Sequence, residues 1–323
     1  MRSRHSPRLH WPVSEIGAGM WGMGGWTGSD DEASARALDR AVALGCTFFD
    51  TALAYGEGHS ERLLGALVKR HPGHPLRIAT KVPPLNRQWP GRADTPAEDV
   101  FPYDHVISST RTSLRNLGVE TIDLQQLHVW NDTWTDAPGW IRAVETLKRE
   151  GAIRAFGISV NRWEPQNVLR VLETGLVDSV QVVYNIFDQA PEDVLFPECA
   201  QRGVAVIARV PFDEGSLTGT LTAESRWPDG DWRNLYFTPD RLRRTLARVA
   251  RLQALADAHG ITLADLALRF VLSHPSVTTC IPGMRSVGHV DANLAASDMP
   301  PLDAALLKAL RAHRWDRLPD ECP

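Results

Sequence analysis

Four titratable side chains stand at or just beyond the ends of short apolar runs in this sequence. Asp50 ends one such run, and Tyr55 follows it five residues later in a glycine-rich stretch. Lys81 and His128 end the next two runs. Taken singly, each side chain fits a structural role better than a chemical one, as a turn acid, a half-buried ring, a solvated lysine or a hydrogen-bonded histidine. Their chemical value depends on whether the fold brings them together.

In one pocket, these four types of side chain could protonate a carbonyl oxygen. A phenol with a pKa of about 10 is a weak acid at neutral pH, but a nearby ammonium group stabilises its phenolate. A carboxylate hydrogen-bonded to the lysine would orient the ammonium group and keep it charged. A histidine can donate a hydrogen bond to the carbonyl oxygen. Such a set suits protonation of a carbonyl while a hydride reaches its carbon.

Short apolar runs alternate with stretches of helical period along most of the chain. The runs are rich in Val, Ile and Phe, as strands buried on both faces should be. The predicted strands are Ser14–Gly19, Thr47–Asp50, Leu76–Lys81, Thr121–His128, Ile153–Ser159, Ser179–Tyr184, Val204–Arg209 and Val277–Ile281. The predicted helices are Glu32–Leu44, Ser60–Arg70, Tyr103–Leu117, Ala137–Glu150, Pro165–Glu173, Pro191–Gln201, Thr238–His259, Leu263–Leu272 and Val287–Ala296. Two long segments, Pro83–Pro102 and Phe212–Tyr236, are predicted to be functional loops.

This alternation predicts an α/β fold with a single domain, a (β/α)8 TIM barrel that spans residues 1–323 and includes a C-terminal tail. No GxGxxG motif follows the first strand, which argues against an open dinucleotide-binding sheet. The active site of a barrel forms where its strands end. Because strands two, three and four are neighbours in a barrel, we expect the four titratable side chains to share one rim.

The composition excludes several classes of partner. The net charge of −4 and a pI of about 6.3 give no electrostatic case for nucleic acid or an anionic membrane. The basic start lacks an apolar signal region, and no run of about 18 apolar residues predicts a membrane span. The scattered cysteines are expected to be reduced thiols of a cytoplasmic protein. No HxH or HExxH motif occurs, so we expect no metal.

Six stretches, taken in order, resemble the signatures of the aldo-keto reductase family. They are GCTFFDTALAYGEGHSERLLG, IATKV, SLRNLGVETIDLQQLH, GAIRAFGIS, QVVYN and TCIPGMRS followed by ANL. The resemblance runs from about Ser14 to Ala296 with the family's spacings. It implies a (β/α)8 barrel that reduces an aldehyde or ketone to an alcohol with NADPH.

The resemblance also implies a role for each of the four side chains, which fall on the family's catalytic tetrad. Tyr55 would donate the proton to the substrate oxygen, and Lys81 would lower the pKa of the phenol. Asp50 would pair with Lys81, and His128 would orient the carbonyl. The hydride would come from a nicotinamide held in the barrel mouth, without a metal.

A larger set of residues would border the cofactor by the same resemblance. Tyr184 would stack on the nicotinamide, with Ser159 and Gln181 at its carboxamide. Asn161 would make the contact that the family often makes one residue earlier, or that hydrogen bond would be lost. The full predicted cofactor set is Gly19, Met20, Trp21, Ser159, Asn161, Gln181, Tyr184, Pro211, Phe212, Gly215, Leu217, Gly283, Met284, Arg285, Ser286, His289 and Asn293.

The segment after the last strand favours NADPH over NADH. Barrels often bind phosphate there, near a helix N-terminus. Ser286 is placed to cap the following helix, and Arg285 supplies a permanent planar cation for a 2′-phosphate. Two departures from the family, His289 and Ala292, predict a weaker hold on the adenine end.

The loop after the seventh strand resembles the family's pyrophosphate cover but carries two acids. Asp213 and Glu214 would bring negative charge near phosphates, so we expect them to pair with Arg209 or to point outward.

Tryptophans on the predicted rim loops suggest an aromatic substrate cleft, suited to a ring-containing or sugar-like carbonyl compound. The predicted substrate residues are Trp21, Trp26, Trp89 and Trp130. One alternative is a non-enzymatic, NADPH-binding, redox-sensing partner subunit, as occurs in the same family. Another is a barrel hydrolase or isomerase, which would need paired carboxylates or metal ligands at the rim. The sequence leaves the natural substrate and the oligomeric state open.

Overall fold

The structure is a computed structural model that describes residues 1–26 and 28–318. The final part of the predicted C-terminal tail, including Cys322, lies outside the described residues. The other three cysteines, Cys46, Cys199 and Cys280, are free and buried. No helix in the described ranges is long and apolar enough to cross a membrane.

Eight parallel strands in chain order form the central sheet. A hairpin of two antiparallel strands, each two residues long, precedes them. The strands are β1 (Ser3–Arg4), β2 (Val13–Ser14), β3 (Ala18–Gly19), β4 (Phe48–Asp50), β5 (Arg77–Val82), β6 (Ile122–Leu127), β7 (Ile153–Ser159), β8 (Ser179–Val183), β9 (Ala205–Arg209) and β10 (Val277–Cys280). Parallel bridges from Ile16 to Cys280 and from Gly19 to Gly283 join the first barrel strand to the last. The predicted (β/α)8 barrel is therefore confirmed.

Helices surround the strands. They are α1 (Asp31–Ala43), α2 (His59–Arg70), α3 (Ala97–Val100), α4 (Tyr103–Leu117), α5 (Pro138–Arg149), α6 (Leu169–Leu172), α7 (Leu195–Arg202), α8 (Arg233–Tyr236), α9 (Pro239–Ala258), α10 (Leu263–Leu272), α11 (Val287–Ala295) and α12 (Ala304–Arg311). Short 3-10 helices cover Trp21–Met23, Asp132–Trp134, Ala190–Glu192 and Asp213–Thr218. Most predicted helices agree within a few residues, and the predicted loop Phe212–Tyr236 contains α8.

One predicted helix is much shorter than expected. The sequence predicts Pro165–Glu173, but only α6 forms. The carboxylate of Asp132, in another loop, accepts the backbone N–H groups of Arg170 and Val171. The helix therefore begins where a distant side chain satisfies its first donors.

Apolar residues fill two separate layers of the barrel. Inside the lumen, Phe48, Ala79 and Leu124 pack with residues from the other strands. The larger layer, between strands and helices, contains the residues that alternate with these along each strand. The upper lumen, beyond the apolar layer, is left for polar side chains.

The N-terminal hairpin closes the lower end of the lumen, which the sequence did not predict. Leu9 and Val13 pack into the inner apolar layer, with Trp11 partly buried against it. Strands of two residues are too short to show the alternation of apolar and polar residues that indicates a strand, so the sequence pattern does not predict them.

Candidate active site

The period-two geometry of the strands sends a set of polar side chains into the barrel mouth. Asp50 and Lys81 each stand two residues beyond an inner-layer residue, Phe48 and Ala79 respectively. Side chains two residues apart on a strand share a face. The sequence therefore places both charged groups above the apolar layer, on the lumen side.

Asp50 is the centre of this arrangement and is saturated with hydrogen bonds. Its Oδ1 accepts a bond of 2.5 Å from Lys81 Nζ, which also donates to the carbonyl oxygen of Thr51 at 2.8 Å. Its Oδ2 accepts from the amides of Gln181 at 2.8 Å and Gln126 at 3.3 Å. Both charged groups are buried. We call Asp50, Lys81, Gln126 and Gln181 the mouth cluster.

Tyr55 lies half-buried in the loop after β4, directly beside this cluster. Lys81 Nζ stands 5.2 Å from the centre of its ring. Burial nevertheless raises the pKa of Tyr55 above its usual 10.0, although Lys81 and Arg209 act to lower it. Lys81 thus acts on the pKa of Tyr55 in the predicted direction, but the desolvation of the phenol outweighs this effect.

His128 completes the predicted four. Its ring centre lies 5.6 Å from that of Tyr55, edge to face. Burial, with the charges of Lys81 and Arg209, holds the pKa of His128 well below 6.5, so the ring is neutral at neutral pH. Its Nδ1 is buried without a hydrogen-bond partner among residues 1–26 and 28–318. The four predicted side chains therefore meet at one rim.

Three of the four predicted substrate residues stand around this rim. Trp26 lies with its ring centre 6.1 Å from that of Tyr55 and 5.6 Å from that of Trp21. Trp89 lies 5.8 Å from His128. Trp21 and Trp89 are 40% and 48% exposed. These indoles form an aromatic border that a ligand can reach.

Trp130 does not belong to this border, which corrects the prediction. It is fully buried and packs edge to face against Trp134 and Trp140. Its indole N–H donates to Asp132 at 3.0 Å. The residue seals the layer between strands and helices, as Val129 next to it also does.

Two glycines let the first two rim loops cross. Gly56 has a φ of 62°, and a Cβ at this position would lie 1.9 Å from the carbonyl oxygen of Gly24. No larger residue fits there without moving a backbone. This crossing sets Trp26 against Tyr55.

Tyr184 does not face the barrel mouth, which overturns its predicted stacking on a nicotinamide. Its ring packs against Phe196, Phe270 and His274 in the outer layer, and its hydroxyl donates to Glu192 at 2.6 Å. The reason is parity, since Gln181 faces the lumen and a residue three positions later must face outward.

Asn161 is also committed elsewhere. Its amide exchanges two hydrogen bonds with the backbone of Gly91, at 2.9 and 3.2 Å, and donates to Glu164 at 2.8 Å. Both ends of the amide hold the loop after β5, so neither is free for a carboxamide. Ser159 and Gln181 do lie on neighbouring strands in the lumen, as predicted.

Most of the remaining predicted cofactor residues fall into two groups. In the first, the side chains belong to the apolar core, as with Met20, Leu217 and Met284. Those positions offer only backbone to a ligand. Gly19 is held to the segment after β10, where its N–H donates to the carbonyl oxygen of Pro282 at 3.0 Å.

The second group surrounds the start of α11. Ser286 caps this helix by accepting the N–H of His289 at 3.3 Å, as predicted. The stem of Arg285 packs over Gly22 in the first rim loop. Asn293 donates to the carbonyl oxygen of Gly283 at 3.4 Å, and the His289 side chain is exposed.

The loop after β9 holds its two acids in a way that the sequence did not predict. Neither acid pairs with Arg209. Glu214 forms an ion pair with Arg162. Asp213 is fully buried and accepts from Arg317 at 2.8 Å. Pro211 and Phe212, also in the predicted cofactor set, begin this loop, and Gly215 within it has a φ of 102°.

Arg317 brings the C-terminal segment into this part of the molecule. Its guanidinium binds Asp188 and Asp213 and donates to the Tyr236 hydroxyl at 2.6 Å. Tyr236 in turn donates to Asp213 at 2.7 Å. We call Asp188, Asp213, Tyr236 and Arg317 the tail cluster. It joins the loops after β8 and β9 to the end of the described chain.

Two residues of the site were missed by sequence reasoning, Gln126 and Arg209. Gln126 stands two residues beyond Leu124 of the inner layer, and Arg209 two beyond Ile207. Arg209 is the last residue of β9, and Lys81 is the last but one of β5, so the two residues occupy similar places on their strands. Counting alternate residues along every strand, including the seventh of the barrel, would have found both.

Comparison with known proteins agrees with this geometry. The model of the Aldo/keto reductase family matches residues 15–314. The chain belongs to the Aldo/keto reductase family.

The alignments of individual relatives with this aldo-keto reductase span almost the whole of both chains. The NADH-specific methylglyoxal reductase of Escherichia coli is 26% identical over 315 residues, which are 92% of this chain and 94% of that protein. The holo form of aldo-keto reductase AKR11C1 from Bacillus halodurans is 28% identical, with a TM-score of 0.76 and 98% of each chain covered. An aldo-keto reductase of Klebsiella pneumoniae, solved in complex with NADPH, is 26% identical, with a TM-score of 0.70 and 98% of each chain covered.

Proposed function

We propose that this aldo-keto reductase is an enzyme that reduces an aldehyde or ketone to an alcohol with NADPH, using Tyr55 as the proton donor. The observation that carries the proposal is the juxtaposition of Tyr55 and His128 with the Asp50–Lys81 pair at one accessible rim. Family membership supports the class of reaction.

The chain's own groups account for the movement of the proton. The raised pKa of Tyr55 keeps its hydroxyl protonated at neutral pH, so a proton is available to a carbonyl oxygen. Once that proton leaves, the Lys81 ammonium, held charged by Asp50, stabilises the phenolate. A neutral His128 retains one N–H donor with which to orient the carbonyl oxygen. Bound NADPH would supply the hydride to the carbonyl carbon.

Features on the β9 and β10 side of the rim support a nicotinamide dinucleotide. The first turn of α11 offers N–H groups to an anion, with Ser286 as the cap and Arg285 as an adjacent cation. A Cβ added to Gly215 or Gly283 would meet no heavy atom within 4 Å, so both backbone segments border open space. The NADPH complex of the Klebsiella relative supports the same cofactor.

The proton donor is tested with Tyr55→Phe, followed by the fall of NADPH absorbance over a broad panel of aldehydes, ketones and keto-sugars. We expect kcat/KM to fall by about 1,000-fold, because the donor is lost while the ring remains. Calorimetric titration should show unchanged NADPH binding. Tyr103→Phe is the matched control, since Tyr103 lies at the start of α4 beneath Arg142. Full activity in Tyr55→Phe would reject the proposed role, and NADPH binding without turnover by the native chain would favour a non-enzymatic subunit.

The preference for NADPH is tested separately with Arg285→Met, which keeps a stem over Gly22 and removes the charge. We expect the Kd for NADPH to rise about 10-fold or more while the Kd for NADH stays constant. An equal change for both cofactors would reject recognition of the 2′-phosphate by Arg285. The comparison matters because the Escherichia coli relative is described as NADH-specific.

A further inference from the structure

The loop after β9 contains three non-glycine residues with a left-handed backbone. Val210, Asp213 and Glu214 have φ angles of 57°, 44° and 56°. Such angles are uncommon outside glycine, and for a β-branched residue such as Val210 they are a genuine outlier. A backbone of this kind persists only where surrounding contacts hold it. Glu214 is held by an ion pair with Arg162, and the other two residues require contacts of their own.

The contacts that hold Val210 and Asp213 both lead to Arg317. Nη1 of Arg317 donates to the carboxylate of Asp213 at 2.8 Å. Nε of Arg317 donates to Asp188 at 3.2 Å. Asp188 accepts a hydrogen bond from the amide of Asn185 at 2.9 Å, and the same amide donates to the carbonyl oxygen of Val210 at 3.0 Å. One guanidinium therefore supports two of the strained positions, one directly and one through two side chains.

Arg317 is itself fixed by the C-terminal segment, residues 312–318. Its side chain is 2% exposed, and its guanidinium lies 4.9 Å from the ring centre of Trp163 and 5.1 Å from that of Trp315. The backbone N–H of Trp315 donates to the carbonyl oxygen of Phe187, in the loop after β8, at 2.9 Å. The segment is thus docked on the loops after β8 and β9 by several independent contacts.

The loop that Arg317 supports also borders the space proposed for the cofactor. Gly215 lies two residues after Asp213, and a Cβ there would meet no heavy atom within 4 Å. The hydroxyl of Ser216 donates to Asp213 at 2.7 Å, so the backbone around Gly215 is tied to the position of Asp213. A backbone that is already ordered before a ligand arrives favours binding, because the ligand does not have to order it.

We propose that Arg317 is a positioning residue for the dinucleotide: by holding the loop after β9 in its strained conformation, the C-terminal segment sets the affinity for the cofactor. This assignment rests on the proposed NADPH-dependent function and adds to it a control by the end of the chain.

The experiment measures cofactor binding and turnover separately in the full chain. The Kd values for NADPH and NADH come from calorimetric titration, and kcat and KM for NADPH are measured with the best carbonyl compound of the panel. The variants are Arg317→Met, Arg317→Lys and Tyr236→Phe, with circular dichroism as the check on folding. Arg77→Met is the control for a general loss of stability, because it removes an ion pair with Asp123 at the opposite end of the barrel strands.

We expect the Kd values of Arg317→Met to rise by about 10-fold for NADPH and NADH alike, because the strained loop relaxes. KM for NADPH should rise in parallel, while kcat at saturating NADPH should fall by less than about threefold, since the mouth cluster is untouched. Arg317→Lys keeps the charge without the planar fork and should bring both Kd values back to within about threefold of native. Arg77→Met should bind both cofactors as the native chain does.

The equal effect on the two cofactors distinguishes this role from that of Arg285, whose replacement should affect NADPH alone. Native Kd values in a folded Arg317→Met would overturn the assignment. A loss of kcat as large as the rise in KM, or the same rise in Arg77→Met, would show a general loss of structure and would overturn it too.

Tyr236→Phe decides the question if Arg317→Met does not fold. It removes a hydroxyl group that donates to Asp213 and accepts from Arg317. We expect both Kd values to rise by about threefold, because one hydrogen bond of the support is lost, and unchanged values would reject the assignment. If the native chain binds NADPH but reduces no carbonyl compound, the proposed reductase function fails while the Kd values still test Arg317. If it binds neither cofactor, both proposals fail.

Discussion

The mouth cluster and the tail cluster are both buried groups of carboxylates and cations, yet their surroundings differ. Around the mouth cluster, Tyr55 and His128 are half-exposed, and His128 Nδ1 and Arg209 Nε have no partners among residues 1–26 and 28–318. In the tail cluster the polar atoms of Arg317, Asp213 and Tyr236 bond to one another.

The difference separates two uses of a buried ion pair. A closed network whose polar neighbours are all matched holds loops in place, whereas a network bordered by unmatched polar atoms beside an opening is prepared for a ligand. Burial, charge and short hydrogen bonds are common to both clusters and do not distinguish them.

The largest expected effect comes from Lys81→Met in the mouth cluster. We expect kcat/KM to fall by about 1,000-fold or more, because the phenolate of Tyr55 loses its stabilising charge. The double variant Asp50→Asn with Lys81→Met leaves no unpaired buried charge, so it should regain stability without regaining activity. Steady-state kinetics and urea unfolding measure the two quantities. Activity above a tenth of the native value in the single variant would contradict the chemical role of the mouth cluster and so its contrast with the tail cluster.

The corresponding change in the tail cluster is Arg317→Met. We expect the free energy of unfolding to fall by about 3–5 kcal/mol, because Asp188 and Asp213 would remain buried without their cation. Arg314→Met is the control; its ion pair with Asp193 is partly exposed, so its loss should change stability by less than about 1 kcal/mol. Urea denaturation of both variants tests the contrast, which fails if their stabilities are equal.

A smaller effect is expected where a mouth residue only supports another. Gln126→Leu removes one of the two amide bonds to Asp50 Oδ2. We expect the free energy of unfolding to fall by about 1–2 kcal/mol, with kcat/KM reduced less than about 10-fold. Tyr236→Phe removes a hydroxyl group that donates to Asp213 and accepts from Arg317 in the tail cluster, and it should show a similar loss of stability. A collapse of activity in Gln126→Leu would give Gln126 a chemical role.

The smallest effect is a pH dependence from His128. Its pKa is lowered in the folded protein, so below about pH 6.5 the unfolded chain takes up a proton that the folded chain does not. Stability contributed above that pH is therefore lost as the pH falls from 6.5 towards the folded pKa. Urea midpoints at pH 7.5 and 5.5 should differ less in His128→Gln than in the native chain. An identical acid loss in both would show that other groups cause it.

The meeting of Asp50, Lys81 and His128 could be predicted from sequence because the strand-end rule for barrels is local and general. The outward direction of Tyr184 was available from the same rule, through the parity of β8, but was obscured by a family signature. Arg209 was equally accessible from the parity of β9. In these cases the information was present in the order of a few residues.

The tail cluster could not be predicted in that way. Arg317 meets partners 129 and 104 residues earlier in the chain, and no local pattern joins them. The late start of α6, compared with the predicted helix Pro165–Glu173, has the same cause, because Asp132 binds the first N–H groups of that helix from another loop. Long-range pairing of charged residues is decided by tertiary packing, which local secondary-structure propensity does not predict.

The separation of the lumen into an apolar layer below and a polar layer above has a consequence for how such a chain can diversify. Phe48, Ala79 and Ile207 maintain the scaffold two residues before Asp50, Lys81 and Arg209 respectively. An exchange at an upper position that carries no reacting group can alter recognition without disturbing the packing beneath it. A new preference can therefore be acquired one strand at a time, through single substitutions, on a framework that is inherited unchanged.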